Sequence, residues 1–323
     1  MKKAIDLSVI AEDISQEVKL PPQATDSSDY VEVKMIGSGG RLSAPPALHF
    51  KNYSFEDSVR LARATDETID ATLVGVLNGM VREDFDCGLL HREELKEVLL
   101  AIYGAFWDRK LEVYYYAVDE SKPMAPDNRS VASLPISAID IKELDRSFKE
   151  PLVVTDSVSK KQIGFCLPRM MNTSIADRWI EDRYKEEETS YSDIRWTIAQ
   201  NERRPIDQQL PYDHKMLKDY IDYMERMSDD RARVLQALQI YSVDSKVLTT
   251  LEDKLKALSE GASFFARYLQ DRDRKYSFGV QPDVKFSCAV THQEITRRFP
   301  FRCVDFIPSL DAVGDSRYSV SLG

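Results

Sequence analysis

The sequence predicts an α+β protein: predominantly helical, with helical hairpins or a bundle around a small central β-hairpin domain and a short C-terminal β segment. Three observations carry that prediction. Apolar residues recur at separations of three and four through 55–106 and again through 213–269, the signature of amphipathic helices. Between these blocks, Leu111–Val118 and Pro151–Pro168 are short and rich in β-branched or aromatic residues. The last fifty or so residues return to short strand-and-turn patterns. Five segments follow from the composition: an extended arm over 1–45, a helical hairpin plus strand over 46–118, a loop and β-hairpin over 119–168, a helical region over 169–270, and a β-rich segment over 271–323. There is no internal repeat.

Taken in order, the arm holds LPPQATDSSD, GSGGRLSAPP and the alternating Tyr30–Met35. It carries too little apolar surface to fold alone and is expected to lie on a neighbour, with one strand. Its glycine cluster, Gly37-Ser38-Gly39-Gly40, lacks the lysine and the preceding buried strand of a phosphate-binding loop and reads as a flexible linker. Ser54 is the expected N-cap of a helix whose apolar face runs from Val59 to Val81. Leu95, Val98, Leu99, Ile102, Tyr103 and Phe106 form the stripe of a second helix. A proline-rich polar loop, Asp119–Arg129, precedes the hairpin around SVSKK. Ser174–Arg204 reads as a long charged helix with a break near Thr189-Ser190, closed by Pro205 and Pro211. Further helices are expected over Asp213–Met227, Ser228–Tyr241 and Lys246–Leu269.

A net charge of −10, from 54 acidic and 44 basic residues, argues against bulk nucleic-acid binding. No apolar run approaches the ~18–20 residues of a membrane span, so no membrane partner is expected. Four widely spaced cysteines, Cys87, Cys166, Cys288 and Cys303, fit reduced thiols and a cytoplasmic setting. Nucleophile-elbow, zinc-protease and calcium-loop motifs are missing from the sequence. His49, His91 and His214 stand alone, and surface or helix-cap duty is expected of each. In Glu181–Glu188, acids interleave with Arg178, Arg183 and Lys185 at helical spacing, which predicts a solvated, ion-paired face rather than a cation site. Trp179, Tyr184, Tyr191 and Trp196 on the same acidic segment are expected to anchor packing within a core or against a partner chain, since base-stacking platforms need a basic groove.

The stretch KFSCAVTHQEITRRFPFRC, Lys285–Cys303, brings two cysteines and a histidine together. Cys288, His292 and Cys303 are three zinc-type ligands, one short of a closed structural site, and Thr291 is a poor fourth. The expectation is a β-hairpin with buried thiols and no metal, held by Phe286, Ile295, Phe299, Phe301 and Phe306. With its continuation VDFIP, the stretch resembles the C-terminal segment of a tailed-phage family associated with assembly of the baseplate hub. In that family a C-x-x-C-x-H-like knuckle precedes an apolar strand and a Phe-rich, Pro-terminated ending. Leu152–Asp156 with Ser159–Pro168 resembles that family's central hairpin, which leads into a long charged helix, here Asp177–Glu188. The pair Phe55–Met80 and His91–Phe106 resembles its N-terminal helices. Thr291 stands where the family has its second knuckle cysteine, and Cys166 where it often has arginine.

The resemblance implies a non-enzymatic virion-assembly or baseplate component of a contractile-tailed phage, acting in the host cytoplasm by binding hub or tail proteins. No catalytic, cofactor-binding or metal residues and no cofactor are expected, and a multi-copy or homo-oligomeric component is compatible with it. The alternative is a metal-dependent hydrolase or nuclease using dispersed carboxylates, Asp84, Asp86, Glu93 and Glu94, although acids before a helix also serve its dipole. A third reading gives Arg297, Arg298 and Arg302 to nucleic acid, against the plainer role of covering a solvent face.

Overall fold

The computed structural model describes residues 29–65, 68–107, 110–116, 129–156, 160–288, 291–299 and 301–307. The arm up to residue 28, the loop over 119–128 and the centre of the SVSKK turn lie outside them. In chain order the elements are β1 (Tyr30–Lys34), β2 (Ala47–Lys51), α1 (Phe55–Ala62), α2 (Ile69–Met80), α3 (Arg92–Phe106), β3 (Lys110–Tyr116), β4 (Arg129–Pro135) and β5 (Ile141–Lys142). There follow β6 (Leu152–Thr155), β7 (Gln162–Phe165), α4 (Met170–Thr189), α5 (Ser192–Asn201), α6 (His214–Ala237), β8 (Ile240–Val243) and β9 (Lys246–Val247). The last are α7 (Leu251–Glu260), α8 (Ala262–Lys275), β10 (Gly279–Val280), β11 (Asp283–Ser287) and β12 (Glu294–Arg298). The fold is mixed α+β, helices with several small antiparallel sheets.

The chain forms two compact units, one of Met1–Asp145 with Ser277–Gly323 and the other of Arg146–Tyr276. This grouping cuts across the five segments read along the sequence. The C-terminal strands belong with the N-terminal elements because β10 pairs antiparallel with β5, Val280 opposite Ile141. No local pattern announces a pairing between two-residue strands so far apart.

In the first unit, α1 begins at a reciprocal capping box. The Ser54 hydroxyl accepts from the Asp57 N–H, and the Asp57 carboxylate accepts from the Ser54 N–H. The single helix expected from 54 to 81 is two helices, α1 and α2, with Ala62 and Ile69 at the interruption. Leu73, Val76, Leu77 and Met80 of α2 and Leu95, Val98, Leu99 and Ile102 of α3 supply the core, joined by Leu48 and Phe50 of β2. His91 caps α3 by accepting the Glu93 N–H at its Nδ1, the cap duty the sequence suggests.

Residues 29–45 correct the reading of an arm laid on a neighbour. β1 pairs with β2 from Tyr30 opposite Lys51 to Lys34 opposite Ala47, and Val33 and Met35 are buried in the chain's own first unit. Gly37-Ser38-Gly39-Gly40 is likewise a packed turn and no flexible linker. The Gly37 N–H donates to the Glu97 carboxylate at 3.0 and 3.2 Å, the Gly37 carbonyl accepts from Leu144 N–H at 2.6 Å, and Ser38 is fully buried. A Cβ on Gly37 would lie 2.2 Å from Glu97 Oε1, and Gly40, at φ +67°, would press one against Pro46 at 2.7 Å. Glycine is required there by close approach, which composition alone reads as slack.

In the second unit β6, β7, β8 and β9 form one antiparallel sheet in that order. The hairpin expected over 151–168 is its first half, with Leu152 opposite Phe165 and Thr155 opposite Gln162. Ile163, Phe165, Ala237, Ile240, Leu258, Phe265 and Leu269 make its core under α7 and α8. Two expected helices, Asp213–Met227 and Ser228–Tyr241, are one continuous helix, α6, ending at Ala237, while Tyr241 lies in β8. The Asp213 carboxylate caps it, accepting from the N–H groups of Lys215 and Met216. The helix expected over Lys246–Leu269 begins only at Leu251, after β9, and is divided at Gly261 into α7 and α8. Apolar spacing cannot distinguish one helix from two when the break falls between complete turns.

Candidate interaction surface

On α4, the break anticipated near Thr189-Ser190 separates it from α5. The charged run pairs differently from expectation. Rather than i,i+4 pairs along one helix, Arg183 meets Asp230 at 3.1 Å, Arg231 meets Asp177 at 2.6 Å and Arg226 meets Glu187, so the charges tie α4 to α6. The Tyr184 hydroxyl donates to Asp230 at 2.8 Å. Burial and the bond to Asp230 raise the Tyr184 pKa, which keeps its proton in place. Arg195 of α5 pairs with Glu188 of α4. A periodic sequence shows that opposite charges can meet, but the partner is chosen by which helices pack.

The aromatics of this segment divide. Tyr184, Tyr191, Tyr220 and Tyr223 form a ring cluster with centroid separations of 4.7–6.1 Å, closed by Ile180, Trp179 and Met227, and Arg183 lies 5.1 Å over the Trp179 ring. Trp196 instead stands out from α5, 57% exposed, and Ile206 in the turn before α6 is 89% exposed. On α6 itself Ile221 and Met224 are 47% and 44% exposed. The apolar spacing of Leu217, Ile221 and Met224 is present in the sequence, but spacing does not say which face a neighbour covers.

Of the zinc-type residues, Cys288 and His292 sit in the turn between β11 and β12, and Cys303 follows β12 in a short 3-10 turn. His292 N–H donates to the Cys288 carbonyl and Cys288 N–H to that of Gln293, both at 2.8 Å, with His292 at φ +57° and exposed. Cys288 and Cys303 are buried. Burial, moderated by Arg92, pushes the Cys303 thiol up to about 11; burial and Asp86 push that of Cys87 to about 12. All four cysteines are described and none forms a disulfide. Among the described residues no group of three or more His, Cys, Asp or Glu side chains could hold a metal ion. Rings hold the hairpin: Phe286 meets Tyr115 of β3 edge-on at 4.8 Å and Phe299 at 6.0 Å, while Phe301 lies 5.7 Å from the fully buried Phe306.

The dispersed acids are placed apart in role. Asp84 is exposed, Asp86 accepts from Asn78 and from the Gly88 N–H, Glu93 pairs with Lys96 at 2.9 Å, and Glu94 accepts the His91 N–H at 2.9 Å. No local pattern marks Glu97. Burial raises its pKa to about 7, against the lowering bond from Gly37 and with Glu94 and Glu93 adding to the rise. Arg297 and Arg298 are neighbours on β12, opposite Val284 and Asp283, and so project from opposite faces of the ribbon. His49 has a partner after all, its Nδ1 lying 2.6 Å from Glu83.

No protein-family model, curated protein or solved structure matches the chain. Among the described residues no helix is long and apolar enough to cross a membrane.

Proposed function

We propose that this is a non-enzymatic assembly protein that works by binding other proteins, and that its partners are hub or tail proteins of a contractile-tailed phage baseplate, met in the host cytoplasm. The observation that carries the binding role is the exposure of Trp196 and Ile206 beside a tightly ion-paired helical scaffold. Large apolar groups left in water on a rigid support are what a partner protein desolvates, and tryptophan is enriched among such anchors. The phage assignment rests on the ordered resemblance of the Phe55–Phe106, Leu152–Glu188 and Lys285–Pro308 stretches. Packing of α4 and of α5 on α6 supports reading this unit as a small helical bundle.

The roles of the acids and thiols fit the same reading. Asp86 and Glu94 serve as backbone caps, Glu93 is ion-paired, and burial keeps the thiols of Cys87 and Cys303 protonated and poorly nucleophilic at neutral pH. Native mass spectrometry of the full chain mixed with candidate hub and tail proteins tests the proposal. A stable complex is expected, lost in a Trp196→Ala, Ile206→Ser variant and kept in Asp84→Asn, Asp86→Asn. No complex with any tail component, or a metal-dependent hydrolysis abolished by the Asp84 and Asp86 changes, overturns it.

A further inference from the structure

The apolar stripe on the N-terminal half of α6 has a composition that selects its own copy as partner. Tyr223 and Met227 turn one face of the helix into the aromatic cluster, and Arg226, Asp230 and Arg231 bind α4. That fixes how the helix is rotated. Leu217, Ile221 and Met224 then run along a different face at separations of four and three, continued by the exposed Ser228, with Ile221 and Met224 each more than two-fifths exposed. This is the a/d seam of a short helix pair, spanning about 18 Å at the ~1.5 Å rise of an α-helix.

Lys218 and Glu225 decide the partner. They lie seven residues apart on one flank of the seam, both exposed, and neither forms an ion pair among the described residues. We propose that two copies of the protein pair through this seam with their α6 helices antiparallel. Ile221 of each copy then packs on Met224 of the other, Leu217 meets Ser228, and Lys218 lies beside Glu225 at both ends of the contact. In a parallel pair each of these side chains would instead face the opposite flank of the partner helix, so the two Lys218–Glu225 contacts form only in the antiparallel arrangement. A contact of this length falls in the size range of weak, transient interfaces, so the dimer dissociates on dilution. The inference deepens the binding role proposed above by naming one occupant of the helical face, and Trp196 and Ile206 remain for other partners.

Sedimentation velocity on the full chain over a wide concentration range is the test. The mass is expected to climb from that of one chain to that of two. Ile221→Asp should hold it at one, with circular dichroism unchanged and the melting temperature of the single chain little altered because the side chain is about half exposed. Lys218→Glu should weaken association roughly tenfold, since both flanking contacts become like-charge. Lys218→Glu combined with Glu225→Lys should restore it, which a merely structural role for either residue would not do. A monomer at every concentration, or a dimer indifferent to Ile221→Asp and to the charge changes, overturns the inference. Failure here with hub or tail complexes still forming leaves the binding role standing; a seam dimer with no such complexes overturns the phage reading alone.

Discussion

Helix α3 of the first unit and the α4–α6 contact of the second put their charged groups to opposite uses. In the first, carboxylates are taken inside: Glu94 and Glu97 are 0% and 3% exposed and hold backbone N–H groups of His91 and Gly37. In the second, the charges that join α4 to α6 stay half in water and pair side chain to side chain, as with Arg183, 56% exposed, and Asp230. Buried carboxylates specify one chain path at a cost in desolvation. Half-exposed pairs steer helix register cheaply and contribute little to stability. The α3 carboxylates are therefore sensitive to pH and to change, and the α4–α6 contact carries a surface that can vary.

The largest expected effect probes the shared ground, the apolar cores. Leu99→Ala, at a fully buried position of α3, should destabilise the first unit by roughly 2–5 kcal/mol, measured by denaturant unfolding. A loss below about 1 kcal/mol would mean the α2–α3 core is looser than the buried side chains imply.

Next in size is the titration of Glu97, which sharpens the comparison. Its folded pKa, raised by burial to about 7, lies above its ordinary value of 4.5. The folded state thus holds the proton more tightly, so this group's contribution is full below pH 4.5, declines as pH rises to about 7 and is flat beyond. Glu97→Gln keeps an acceptor for Gly37 N–H and should remove this decline, gaining up to about 3 kcal/mol on the parent between acid and neutral pH. Thermal melts of both proteins across that range would show it, and parallel curves would refute it.

The smallest effect belongs to the second unit. Arg183→Ala removes an ion pair and a stacking contact that are both largely in water, and should cost no more than about 1 kcal/mol, less at high salt. A loss of several kcal/mol would erase the contrast between the two regions.

Much of the local structure was legible. Ser54 marks the start of α1 because its hydroxyl satisfies a helix N–H within three residues, and the hairpin around SVSKK is bracketed by prolines and apolar runs. The aromatic hold on the β11–β12 ribbon was also readable from its phenylalanines. The candidate surface was less so: four tyrosines, two tryptophans and the α6 stripe all looked alike as apolar spacing, and only packing separates Tyr223, 3% exposed, from Trp196.

By itself, then, the sequence determined the α+β class, the starts of α1 and α6, the central hairpin and the lack of any familiar catalytic motif, because caps, turns and periodicity act over a few residues. Tertiary structure alone decided that α1 and α2 part and that α6 is continuous, and it joined β10 to β5. It also turned the glycine cluster into a clamp on Glu97 and left Ile221 and Met224 in water. Those outcomes depend on which surfaces meet across long stretches of chain, and burial and partner choice belong to the assembled packing rather than to any local run of residues.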